Sequence, residues 1–310
     1  MTFFHRIRPR LIKSQPERQG YVRPVIGSLL MITALIAVSL SSTMASQPPG
    51  FPPTSQPATQ PDARPRLPVI PELPTPAENY IRNFERAHGG KLWREKDAIR
   101  ANIEVTFEEG IYFKGSMLHE IATGRTRMEL DDGTVLIYDG TKAWVSPASS
   151  TIEAARFHLL TWPYFLAAPM KTGDPGTHLE VQELKVLNRR MCKTAKLTFN
   201  PGVGDTPDDW YILHANSRNG LLYGMVYILT YSTSFVEAEK NPHAIIYDGY
   251  QQIDGISLSN SWSFYEWDKI MGVGRRPIGR ARLTDLEFIT PEAKAFIHPS
   301  DAREDKLPGS

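Results

Sequence analysis

Two acid–base pairings can be drawn along this chain, Asp208-Asp209 with His214 and Glu153 with His158, each placing a carboxylate near an imidazole that could pass a proton. A chain of 310 residues offers such coincidences, so structural or surface roles are the expectation for both. The remaining histidines of the folded part stand at 88, 119, 178, 243 and 298, and no two histidines repeat at the i, i+2 or i, i+4 spacing that sets two imidazoles on one metal. There is no Gly-x-Ser-x-Gly elbow for a serine nucleophile. The lone Cys192 follows Arg190-Met191 and precedes Lys193, cations that could lower its pKa, but an inert, partly buried thiol is the expectation. One cysteine makes no internal disulfide, zinc site or redox pair. Gly272-Val273-Gly274-Arg275-Arg276, with Arg280 and Arg282, has the glycines and guanidinium groups of an anion cradle. It lacks the Lys and Ser/Thr of a phosphate loop, so a hairpin loop is expected, with arginines that could touch a membrane surface. The expectation is a protein without enzymatic activity, metal or cofactor. A hydrolase or isomerase ranks last, and would need two titratable groups converging in a deep cleft.

Aromatic residues give a different kind of signal. Residues 152–166 carry Ala154, Ala155, Phe157, Leu159, Leu160, Trp162, Tyr164 and Phe165, with Pro163 inside. On a helix these nearly encircle the axis, which implies contact on more than one side. Proline at 163 is expected to kink or end the first helical piece. Trp144, Phe157, Trp162, Tyr164 and Phe165 are therefore candidates to face an apolar ligand, with core packing as the other reading. Arg125 and Arg127 lie on the polar phase of a short strand and are candidates for a lipid head group, or else a solvated strand face.

The elements that would hold these residues are mostly strands. A helix opens the folded part at 77–87, with Tyr80, Ile81, Phe84 and Ala87 on one face and His88-Gly89-Gly90 stopping it. From Ile99 the period becomes two: Ile99, Ala101, Ile103, Val105 and Phe107 alternate with Arg100, Asn102, Glu104, Thr106 and Glu108. Alternation returns at 111–117, 126–130 and 135–137, and further strands are expected at 179–187, 195–199, 210–215, 221–231, 244–251, 256–267 and 280–288. Asp132-Gly133, Asp139-Gly140, Asn219-Gly220, Asp248-Gly249 and Asp254-Gly255 are tight-turn signals, since Asn or Asp before Gly tolerates positive φ. About ten or eleven strands call for a mainly β (α+β) fold: a large, strongly curved antiparallel sheet or unclosed barrel, with an N-terminal helix and a helical lid at 152–166.

The ends carry an address. Arg6, Arg8, Arg10, Lys13, Arg18 and Arg23 precede an uncharged run, 25–45, whose apolar centre, 26–40, is shorter than the ~20 residues of a comfortable membrane span. Residues 1–45 thus read as a signal peptide cut after Ala45, or as an uncleaved N-terminal anchor. Either places the folded part outside the inner membrane, in the periplasm or envelope. Residues 46–76 hold eleven prolines and read as a semi-rigid linker. The folded domain then spans 77–299, and 300–310 reads as a polar tail. Without 1–45 the chain carries 29 basic and 33 acidic groups, which offers no positive surplus for a nucleic-acid backbone.

Gly115-Ser116-Met117-Leu118, Arg125-Thr126-Arg127-Met128-Glu129-Leu130 and the stretch Val135-Leu136-Ile137-Tyr138-Asp139-Gly140-Thr141-Lys142-Ala143-Trp144-Val145-Ser146-Pro147 follow one another here. In this order they resemble the periplasmic lipoprotein carrier superfamily, LolA/LolB-like lipoprotein-sorting proteins. The core of the likeness is 138–144, which resembles that family's Asp-Gly-Lys-x-x-Trp hairpin. The resemblance implies an unclosed antiparallel barrel covered by helices, with an apolar interior that takes acyl chains. Where such carriers place Lys-Arg-Pro, this chain has Glu120-Ile121-Ala122. The expectation is thus this fold with a lipid, acyl chain or other hydrophobic ligand. A cell-envelope sensor or scaffold of the same fold, with a protein partner, is the alternative.

Overall fold

The computed structural model of the chain describes residues 73–107 and 110–308. The leader at 1–45 and residues 46–72 of the linker lie outside the described residues. The chain enters its first helix, α1 (Pro76–His88), through a capping box. Thr75 accepts from the Glu78 amide and the Glu78 carboxylate accepts from the Thr75 amide. Gly89 ends it in the left-handed region (φ 79°), and a single turn, α2 (Gly90–Trp93), follows. The helix docks through His88, whose Nδ1–H donates to the Phe84 carbonyl (2.8 Å) while Nε2 accepts from the Leu222 amide (3.0 Å). Those two bonds fix the neutral tautomer.

Period-two burial then sets the sheet. In β1 (Ala98–Phe107) Ile99, Ala101, Ile103 and Val105 are buried and Arg100 and Asn102 are exposed. β2 (Gly110–Glu120), β3 (Thr126–Leu130), β4 (Val135–Tyr138) and β5 (Ala143–Ser146) continue as a meander. Helix α3 (Ala155–Ala167), a 3₁₀ turn (Ala168–Met170) and the strands β6 (Thr177–Leu187), β7 (Arg190–Phe199), β8 (Tyr211–Asn216) and β9 (Leu222–Tyr227) come next. A short helix, α4 (Phe235–Lys240), precedes β10 (His243–Ile253), β11 (Ile256–Asp268), β12 (Gly272–Val273), β13 (Gly279–Ile289) and β14 (Arg303–Asp305). The strand order is β14-β5-β4-β3-β2-β1-β13-β11-β10-β9-β8-β7-β6, antiparallel at each pairing, with β12 paired to β11 off this path. β14 and β6 are its free edges, so the sheet is not closed. The three strands absent from the sequence reading, β5, β12 and β14, are four, two and three residues long. Such runs are too short to show a period.

Four of the five turn dipeptides join neighbouring strands: β3–β4, β4–β5, β8–β9 and β10–β11, each with its glycine at positive φ. The fifth, Asp248-Gly249, lies inside β10. Gly249 has φ 61°, and a Cβ there would stand 2.0 Å from Asn260 Oδ1 on the facing strand. Only glycine fits that step of the ladder.

Helix α3 fills the concave face. Leu159, Trp162 and Phe165 are fully buried, and the ring of Trp162 lies 6.3 Å from Phe113 of β2 and 6.2 Å from Phe264 of β11. Tyr247 of β10 donates from its hydroxyl to the Phe165 carbonyl (3.2 Å). Of the kink or end expected at Pro163, the end does not occur: α3 runs through it to Ala167. A proline inside a helix costs about 3 kcal/mol. Here the burial of Leu159, Trp162, Phe165 and Leu166 on both sides of it outweighs that cost.

The C-terminal residues also depart from the expected tail. β14 pairs with β5 through Arg303↔Val145, Glu304↔Trp144 and Asp305↔Ala143. Asp305 Oδ2 accepts from the Arg156 amide (2.9 Å), and Arg303 donates to the Ser150 and Ile152 carbonyls. Ala154, at the N-cap of α3, has no side chain to cap it, so Asp305 supplies the acceptor and negative charge that this helix end favours.

Candidate functional site

Because α3 is apolar nearly all round, the side that does not pack on the sheet still presents Phe157, Leu160, Thr161 and Tyr164, three or four residues apart, to a second surface. They face a cavity of about 510 Å³, open at one side. Its other walls are His119 of β2 and the turn after it (Thr123, Gly124), residues 171–177 behind the 3₁₀ turn, the segment 199–211, and Leu229 and Tyr231 beyond β9. Most of this lining is apolar: Leu160, Pro163, Phe199, Val203 and Leu229 join the aromatic rings. The volume lies in the range of sites that enclose a small molecule.

Polar groups sit where the apolar walls end, and the charged side chains among them are paired. Arg156, on the first turn of α3, donates from Nε and Nη2 to both Asp205 oxygens (2.5 and 2.8 Å) and from Nη1 to the Thr141 carbonyl (2.9 Å). Both side chains of that pair are only 14% exposed. Asp209 is buried and accepts from Thr206 Oγ1, the Thr230 amide and Thr230 Oγ1, at 2.7 to 2.8 Å. Burial pushes its pKa up to about 6 against the pull of those hydrogen bonds. Three donors make Asp209 a brace between 206 and 230. Lys171 meets Asp174 at 3.2 Å. His119 is buried with Nδ1 3.0 Å from Thr126 Oγ1, and burial pulls its pKa down to about 3. This wall can hold a polar head while the rings and aliphatic groups cover an apolar body.

The acid–base pairings of the sequence are not assembled. Asp209 is bonded to Thr206 and Thr230, whereas His214 Nδ1 bonds the Ile212 carbonyl. His158 accepts at Nδ1 from Trp162 Nε1 (3.1 Å), and Glu153 is exposed. Cys192 is buried, and burial raises its pKa.

The candidate ligand-facing set divides by place. Phe157, Tyr164 and Phe165 line the cavity. Trp162 sits behind them, 1% exposed, inside the aromatic cluster against the sheet. Trp144, Arg125 and Arg127 do not line the cavity; they hold the C-terminal segment. Trp144 stacks on His298 with centroids 3.8 Å apart and donates to Asp139 Oδ2 (2.8 Å). Arg125 bonds both Glu120 oxygens and covers the Phe296 ring, and Arg127 donates to Glu129 and to the Ala295 carbonyl. Leu160 was legible within the apolar run. Val203, Asp205 and His119 carry no local signal, because they reach the cavity only through the tertiary fold, and Asp209, singled out for another pairing, reaches it the same way.

The Arg156–Asp205 pair ties α3 to the segment that walls the cavity, so it should be worth more than a surface ion pair. Arg156→Met is expected to cost about 2–4 kcal/mol, because a mostly buried carboxylate is left without its cation. The double variant Arg156→Met, Asp205→Asn should recover at least half of the loss in urea denaturation. If each single variant unfolded within about 0.5 kcal/mol of the parent, the latch would be no more than a surface pair.

No family model matches the chain, and no curated protein matches it. Among solved structures it is similar to a LolA superfamily protein from Nitrosomonas europaea, with 12% identity, a TM-score of 0.48, and coverage of 73% of this chain and 99% of that one. It is similar also to a DUF1329 family protein from Desulfovibrio piger (10% identity, TM-score 0.44, 71% and 97% covered). A third is a Vibrio parahaemolyticus domain assigned as an outer membrane lipoprotein-sorting protein (10% identity, TM-score 0.43, 71% and 97% covered).

Proposed function

We propose that this domain is an exported, non-enzymatic binding protein that holds one amphipathic hydrophobic molecule, a lipid or acyl chain, beside α3. The observation that carries this reading is the 510 Å³ cavity with largely apolar walls and a rim of paired charges. Transfer of a hydrocarbon body from water to these walls is favourable by about 25 cal/mol per Å² of apolar surface covered. Lys171, Asp174, Asp205 and Asp209 would then meet the polar head at the boundary. Release would be by opening of the segment 199–211, which Arg156 fastens to the helix. The leader at 1–45 supports delivery to the cell envelope.

The test is direct. Mass spectrometry of the protein purified from its native envelope should reveal a bound lipid, and a fluorescent long-chain fatty acid should bind saturably. Leu160→Trp, which puts an indole into the cavity, is expected to weaken that probe by about tenfold or more, since overfilling a packed site displaces its guest. Leu184→Glu, on β6 seven residues from its cavity-lining end at Thr177, should leave binding unchanged. Absence of both a co-purified lipid and saturable probe binding would retire the reading.

One observation favours the second reading, a module that binds a protein partner. The free edge strand β6 exposes Leu184 and Val186 at 61% each, and Met191 of β7 stands at 50% beside them. An open edge with apolar side chains can accept an added strand. Leu184→Glu with Val186→Lys would abolish such a partnership while sparing the fatty-acid probe.

A further inference from the structure

The hairpin between β11 and β12 projects from one end of the sheet, and its tip is Ile270-Met271, 90% and 81% exposed. No apolar residue on the described surface is more exposed than Ile270. The tip is a built shape: Asp268 Oδ1 accepts from the Ile270 amide (2.8 Å) and the Met271 amide (2.7 Å), and Gly272 turns back at φ 75°. Its own carboxylate thus closes the turn, while both side chains point away from the body. Behind the tip stand Lys269, Arg275 and Arg276, all exposed and, among the described residues, in no ion pair. Arg280 is exposed too, one step along β13 from Gly279, which faces Phe264 on the same stem. Glu266 and Asp268 are the opposing charges on that stem, outnumbered by Lys269, Arg275 and Arg276. Trp267, half-buried at the base against Val273, marks the level where the hairpin joins the sheet.

From the tip inward come two apolar side chains with Lys269 beside them, then the indole of Trp267, then Arg275 and Arg276 beyond the Gly274–Glu266 bond, an order that suits an anionic bilayer with hydrocarbon at the tip and the headgroup layer behind it. Neighbours at the same end agree. Ile111 sits opposite Thr106 on the strand pair that faces Arg280, and is 63% exposed. Val236 of α4, 62% exposed, precedes β10, whose first residue His243 faces Glu266. We propose that the β11–β12 hairpin is a membrane-docking element that seats Ile270 and Met271 in the interface of an anionic bilayer, with Lys269, Arg275 and Arg276 on the lipid phosphates. Charge complementarity is what selects a lipid surface over a second copy of the chain. The inference stands on the hairpin alone and does not depend on what the cavity holds.

The experiment uses the full chain with Met271→Cys carrying a polarity-sensitive fluorophore; Cys192 is buried and leaves the new thiol the accessible one. Vesicles are phosphatidylcholine alone or an equal mixture with phosphatidylglycerol. Emission at 271 is expected to rise about threefold with the anionic vesicles and to be quenched by spin-labelled lipid. The same label at Leu184→Cys, on the free edge strand β6, should stay in water. Arg275→Glu with Arg276→Glu should weaken the response by about tenfold, and salt should weaken it in the parent. A label at 271 that stays in water, or that responds equally to neutral vesicles and after charge reversal, overturns the proposal. So does an emission rise that needs no vesicles and grows with protein concentration, which would assign the tip to self-association. Because the N-terminal apolar run is common to every variant, differences between them read the hairpin alone.

Discussion

Between pH 6.5 and 4 this domain should lose most of its stability. Five histidines, His88, His119, His158, His214 and His243, are buried, and burial pulls their pKa values down to about 4, 3, 3, 4 and 4. The sign follows from proton counts. Each ring stays neutral in the fold but takes up a proton in the unfolded chain once the pH drops below about 6.5, so acid favours unfolding. Every such histidine removes about 1.4 kcal/mol per pH unit in that window. Asp209 opposes them, because its folded value of about 6 lies above its ordinary 3.8, and the fold gains stability as it is protonated between those values. One carboxyl cannot offset five imidazoles. Urea midpoints taken at intervals from pH 7 to 4 should therefore fall steeply, and the slope should match several protons. His158→Phe, set among Phe113, Phe157 and Trp162, should flatten that slope by about one proton. A midpoint that does not move from pH 7 to 4.5 would mean that these rings are far better hydrated than their packing implies.

Trp162→Ala should be among the most destabilising single substitutions in the domain. Its indole is stacked on His158 and meets Phe157, Phe165, Phe113 and Phe264, so it joins both α3 to the sheet and the sheet's two halves to each other. Removing a buried tryptophan costs about 3–5 kcal/mol, part of it for the void that the neighbours cannot close. For a domain of this size that is a fall in Tm on the order of 10 °C. Trp162→Phe keeps most of the ring and gives up only the bond to His158 Nδ1, so it should cost less than half as much. A thermal melt of the alanine variant within about 2 °C of the parent would show that the cluster repacks freely.

Local pattern carried far in this chain where the physics is local. Ile99 to Val105 declared the buried face of β1 by alternation, and Asp132-Gly133, Asp139-Gly140, Asn219-Gly220 and Asp254-Gly255 marked turns because positive φ is a one-residue requirement. The near-uniform greasiness of 152–166 gave the enclosure of α3. What failed was set by distance along the chain. Pro163 did not end the helix, because its cost is local, whereas the packing that outweighs it comes from β2, β9 and β11. Trp144, Arg125 and Arg127 looked available because nothing near them in sequence covers them; residues 295–298 do so from the other end of the chain. Three of the expected aromatics reach the cavity for a simple reason: they belong to the helix that walls it.

The pairing of β1 with β13 and the capping of α3 by Asp305 have a consequence for the nascent chain. The first seam needs residues 279–289 and the cap needs Asp305, so the early meander from β1 to β5 waits with one flank open and its helix unanchored until they have been made. Such long-range closure makes for slow, late completion. A polypeptide of this kind stays threadable for as long as it is being synthesised, which is the condition a narrow translocation pore imposes.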